Sequence, residues 1–184
     1  VPRAHRPSTS ALVAWLLFAV NAWIPALYLV VSPAFGFGDW TTIIDQFPDR
    51  GPLRASLAAT GLFIAGLVWK ETKASLARLV GNGSSADRTA RARRIVRTAW
   101  LWGGGVAVAA GFLSPLGPTT GMAVAAGGTF ASTWPVLLAV GAVEDTPVPG
   151  SPLVVPLSWW VLVSGAVVAL VLAGVFGPGL HLAW

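Results

Sequence analysis

The chain has 184 residues, of which 55% are hydrophobic and 10% charged, with a mean hydropathy of +0.71 and a formal net charge of +5. Soluble domains hold about a quarter of their residues as charges, so this composition excludes an ordinary water-soluble globule and predicts one all-α integral membrane domain. The chain contains no cysteine, which excludes disulfides, thiolate metal sites, iron–sulfur clusters and cysteine nucleophiles.

The first apolar block, 10–31, is uncharged and long enough to cross a hydrocarbon core of about 30 Å. Arg3, His5 and Arg6 precede it, as in a signal peptide, but the run is too long for a cleaved leader and predicts a retained helix. Within it Asn21 stands four residues before Pro25. A proline inside a helix leaves the carbonyl four residues back without its donor and bends the axis, so this pair is a candidate for a solute site.

The segment 32–52 reads as an outer loop carrying Asp39, Asp45 and Asp49. These carboxylates are candidates for a hard-cation site, and a solvated loop with Phe47 and Ile43 or Ile44 resting on lipid is the simpler expectation. Further spans are predicted at about 53–69 and 98–113. Between them, 70–97 holds eight of the 12 basic residues, and Ala86 to Arg97 alone contains Arg88, Arg91, Arg93, Arg94 and Arg97.

Good helix formers flank Gly81 and Gly83, and Ser84 or Ser85 can cap the next start. The expectation is therefore a basic helical hairpin, projecting about 15 Å beyond the membrane if some ten residues rise 1.5 Å each. By the positive-inside rule the N-terminus and this hairpin are cytoplasmic. The stretch 71–96 has no aromatic residue, so the arginines are read as an orientation signal and as contacts to anionic lipid headgroups or a partner. A nucleic-acid site is not predicted. Arginine far outnumbers lysine, present only as Lys70 and Lys73, and Ala, Gly and Val abound. That bias points to a GC-rich genome, hence a prokaryotic cytoplasmic membrane.

The uncharged segment 120–142 is interrupted by Gly127, Gly128, Thr129, Ser132, Thr133 and Pro135. Its length predicts a span, with a re-entrant segment as the alternative. A last span is expected at 157–176. The domain is thus read as five transmembrane helices, or four plus the re-entrant segment. Small residues recur every four positions at Gly103, Ala107 and Gly111, at Ala123, Gly127 and Ala131, and at Gly165, Ala169 and Ala173, which predicts close helix packing, within the chain or against another.

Most of the ten tryptophans, Trp69 and Trp100 among them, lie near block ends and fit an interfacial belt. Trp23 and Trp134, and less far in Trp15, lie away from the ends, and an indole N–H at depth needs an acceptor. They are read as bundle packing, with a lipid, quinone or pigment pocket as the alternative. His181 is a candidate axial ligand to a haem or chlorophyll, although a solvated role suits a histidine beside the chain end. Catalytic fingerprints are absent, and no Asp, Glu, Lys or Arg falls clearly inside a span, which argues against ion-coupled transport.

The leading expectation is a non-catalytic membrane subunit that packs against other membrane proteins. A small-solute channel or transporter using Asn21, Pro25, Thr129, Ser132 and Thr133 is the alternative. A membrane enzyme completed by a metal or a partner is third.

Overall fold

The computed structural model describes residues 8–36 and 38–143. The predicted span at 157–176 and His181 lie outside the described residues. Every regular element within them is helical.

Helix α1 (Thr9–Phe35) opens where the Ser8 hydroxyl accepts the Ala11 N–H, and closes on Gly36 in the left-handed conformation, whose N–H returns to the Ser32 carbonyl. Pro25 and Pro33 lie inside it. A short α2 (Asp39–Ile44) crosses beneath, with Ile44 fully buried and its first N–H, that of Asp39, bonded to the Tyr28 hydroxyl at 2.9 Å. Helix α3 (Arg50–Val80) and helix α4 (Ser85–Gly111) are joined by a tight turn. Gly81 and Gly83 there adopt positive φ, and the Ser84 hydroxyl accepts the Asp87 N–H at 3.2 Å. The capped reversal expected from the sequence is what forms.

Gly117, at φ +90°, turns the chain into α5 (Pro118–Ala126). One π-helical turn (Gly127–Ala131) leads into α6 (Ser132–Leu138), and a 3-10 turn follows at Gly141–Val143.

Contacts along the helices define an antiparallel bundle. Helix α1 runs against α3, because the Trp15 indole reaches the Ser75 hydroxyl and the Trp23 indole reaches that of Thr72. Nearer the other end, a Cβ on Gly61 would sit 2.9 Å from the Ala26 carbonyl oxygen. Helix α4 runs against the rod from α5 to α6. A Cβ on Gly111 would lie 2.5 Å from the Gly121 carbonyl oxygen, Trp100 meets Phe130 and Trp134 edge-on, and Val96 and Val136 share one core cluster. The segment 118–143 therefore runs back along the length of α4 and does not fold back on itself partway.

Three helical segments are long and apolar enough to cross a membrane among the described residues: Thr9–Phe35, Arg50–Val80 and Pro118–Val143. Helix α4 is not one of them. Its uncharged part, 98–111, rises only about 21 Å at 1.5 Å per residue, against a hydrocarbon core of about 30 Å.

The basic hairpin does not stand clear of the bundle as expected. Leu76, Leu79 and Val80 of α3 and Ala92 and Val96 of α4 are buried in one cluster with Trp15 of α1 and with Val136, Val140 and Val143. The antiparallel register is the cause: the N-terminal half of α1 and the far end of the 118–143 rod extend alongside Lys70 to Arg97 and offer them an apolar wall.

Candidate functional site

The register opens a recess between three helices. Trp15, Leu16, Ala19 and Val20 of α1 form one wall, and Val96, Ala99, Trp100, Gly103 and Gly104 of α4 form the other. Thr129, Thr133 and Val136 complete the lining. The cavity measures about 70 Å³, and exposed Val20 and Gly103 in its walls carry it to the molecular surface.

Its polar atoms are few. The buried Thr133 hydroxyl is turned back to the Thr129 carbonyl of its own helix, which leaves it with little to offer a ligand. The Trp15 N–H is taken by Ser75 at 3.0 Å. The Trp100 N–H is different: it is buried and has no hydrogen-bond partner among the described residues, and indole nitrogen is a donor only. Trp100 thus does more than mark a helix end. Its place on the wall is visible in the sequence as one spacing, since Val96, Trp100 and Gly104 follow each other at every fourth residue of α4.

Of the residues singled out for a pocket, Trp23 is 3% exposed and donates to the Thr72 hydroxyl at 3.1 Å. It is a packing residue, fastened edge-on to Trp69. Trp134 is 52% exposed and leans on Trp100 from outside the recess. Asn21 and Pro25 are exposed on α1, and the Asn21 amide donates to the Leu17 carbonyl of its own helix. The cavity includes Thr129 and Thr133 but not Asn21, Pro25 or Ser132, so the residues of the solute path do not line one passage here.

The outer carboxylates do not gather. Asp39 opens α2, Asp49 precedes α3, and Asp45 pairs with Arg50 at 3.3 Å and Arg54 at 3.8 Å. No group of three or more His, Asp or Glu able to hold a metal exists among the described residues.

The arginine run divides by helix face. Arg88 is 6% exposed, one turn from buried Ala92 on the face toward the core, and so does not offer its guanidinium to headgroups as expected. Arg91 donates to the Asn82 carbonyl across the turn and steadies the reversal. Arg93, Arg94 and Arg97 are exposed, and no carboxylate pairs with them among the described residues. Lys73 lies over the Trp69 ring, 5.2 Å from its centroid, an arrangement suited to an interface where a cation and an indole share one level.

No protein-family model matches the chain, and neither a curated protein nor a solved structure does.

Proposed function

We infer that the chain is a non-catalytic integral membrane subunit of a prokaryotic cytoplasmic membrane, packing against other membrane proteins, with its N-terminus and basic hairpin in the cytoplasm. One observation carries the reading. The apolar stretches of the three long helices turn most of their surface outward, to the point that only 11% of the stretch in α3 is buried. Leu62, Phe63 and Leu67 of α3, Leu101 and Trp102 of α4, and Val124, Trp134 and Leu138 of the last rod are all more than half exposed. Soluble monomers rarely expose apolar patches above a few hundred Å², so lipid and neighbouring helices are the natural cover.

Charged residues set the ends of the shorter spans. Arg54 and Lys70 bracket an uncharged run, 55–69, of about 22 Å at 1.5 Å per residue, and Arg97 begins a similar run in α4. Both fall short of the bilayer core by several ångströms, a mismatch that snorkelling of Lys70 and Arg97 and local thinning of the bilayer accommodate. Native mass spectrometry of the chain extracted in mild detergent is the test. Copurification with a second membrane protein in fixed ratio is expected, and a monodisperse monomer with no companion would overturn the subunit role.

A further inference from the structure

We propose that the recess between α1, α4 and α6 receives part of one acyl chain of an anionic phospholipid, whose phosphate is bound by Arg93 and Arg97. The proposal rests on the membrane reading, though not on the subunit role.

Size decides the class of occupant. Pockets for compact ligands measure about 300–1,000 Å³, whereas this cavity is about 70 Å³. It has room for a few methylene groups of a hydrocarbon chain that enters beside exposed Val20 and Gly103, and the near-absence of free polar groups on the walls suits it. Gly103 leaves its part of the α4 wall bare, with nothing within 4 Å of where a Cβ would stand, whereas the space beside Gly104 is taken by the Phe130 ring.

Charge then selects the headgroup. Arg93, Arg97, Trp100 and Gly104 succeed one another at spacings of four, three and four residues, which places them on one ridge of α4. Both arginines are exposed and unpaired with any carboxylate among the described residues. Between these cations and the apolar recess stands Trp100, on the α4 wall. A phospholipid presents groups in the same order: phosphate, then ester carbonyl, then chain. The ester carbonyl lies at the level of Trp100, one helical turn from Arg97 along α4.

The full chain, purified in detergent, is titrated with dioleoyl phosphatidylglycerol and with dioleoyl phosphatidylcholine, and bound lipid is counted by native mass spectrometry. The wild type is expected to bind one phosphatidylglycerol in preference to phosphatidylcholine. Arg93→Gln with Arg97→Gln lowers phosphatidylglycerol affinity about 25-fold at low ionic strength, at about fivefold per arginine, and abolishes the preference. Arg94→Gln makes the same charge change off the ridge and has less than about half that fivefold effect. Gly103→Leu and Val20→Phe, which fill the recess from opposite walls, weaken both lipids alike while circular dichroism keeps the wild-type helicity.

Undiminished binding in these helical, recess-filled variants overturns the chain site. Equal losses from Arg94→Gln and Arg97→Gln overturn the ridge. A quinone or a partner helix occupying the recess in place of lipid overturns the proposal as well. A chain that partitions into water instead of membranes refutes the membrane reading itself, whereas a lipid-bound monomer without companions refutes only the subunit role.

Discussion

The Trp23 indole donates to the Thr72 hydroxyl at 3.1 Å, across 49 residues of sequence and between two helices that both bury the pair, at 3% and 0% exposure. This bond and its neighbour from Trp15 to Ser75 set the sliding register of α1 on α3.

Thr72→Val keeps the shape of the side chain and removes the acceptor. A buried donor left unpaired costs about 1–3 kcal/mol, so thermal unfolding in detergent should fall measurably for Thr72→Val and much less for Thr72→Ser. Ser75→Ala, at a half-buried position, should cost less than Thr72→Val. An unaltered midpoint for Thr72→Val would show that the register is held by other contacts.

The crossing of α4 and α5 rests on backbone touching backbone. A Cβ on Gly121 would collide with the Gly111 carbonyl, whereas one on Gly105 meets nothing within 4 Å. Gly121→Ala should therefore destabilise by about 1–3 kcal/mol through overpacking. Gly105→Ala should be neutral or stabilise by up to about 1 kcal/mol through helix propensity. Chemical denaturation of both variants in one detergent separates the two effects.

Two arginines six residues apart should behave differently. Arg88 is buried and Arg94 exposed. Arg88→Ala should lower stability by about 1–3 kcal/mol, through lost packing of its buried side chain, and Arg94→Ala should stay within about 0.5 kcal/mol. Equal midpoints would mean that Arg88 contributes nothing from its buried site.

Topology is testable at both ends of the bundle. Gln46 and Asn82 are exposed and lie at opposite ends of α3. In intact cells an impermeant thiol reagent should label Gln46→Cys and spare Asn82→Cys. A reporter fused after Val143, which shares a buried cluster with Leu76 and Ala92, should register on the same side as Asn82. Labelling of Asn82→Cys alone would invert the orientation, and a reporter on the Gln46 side would contradict the traverse of 118–143.

Much of this architecture is written in local patterns. Uncharged blocks mark α1 and the 118–143 rod, and the Gly81, Gly83, Ser84 and Asp87 cluster marks the hairpin turn down to its capping bond. What hydropathy does not carry is which residue of one helix meets which residue of another. Lys70 and Glu71 look as though they leave the bundle, yet the indoles of Trp15 and Trp23 hold α1 beside them. The burial of Arg88 was legible at short range, since Arg88, Ala92 and Val96 share a face at every fourth residue, but the cluster of arginines around it obscures that spacing. The recess depends on α1 and α4 both meeting α6, a distant coincidence that no local pattern encodes.

The π-helical turn at Gly127–Ala131 gives the last rod a phase that regular helix would lack. Gly121, Ala125, Thr129, Thr133, Val136 and Val140 are buried or half-buried along one side. The series is one residue longer than the same number of α turns of about 3.6 residues would need. The extra residue works as a rotational spacer, letting the Gly121 face that meets α4 and the Thr133 face that lines the recess point inward together. Deleting Gly128 would restore plain α-helix and twist everything from Ser132 onward by about 100°, carrying Thr133 and Val136 off the recess while leaving composition and hydropathy almost unchanged. In this chain, the inward face of the final rod is a matter of residue count as much as of residue type.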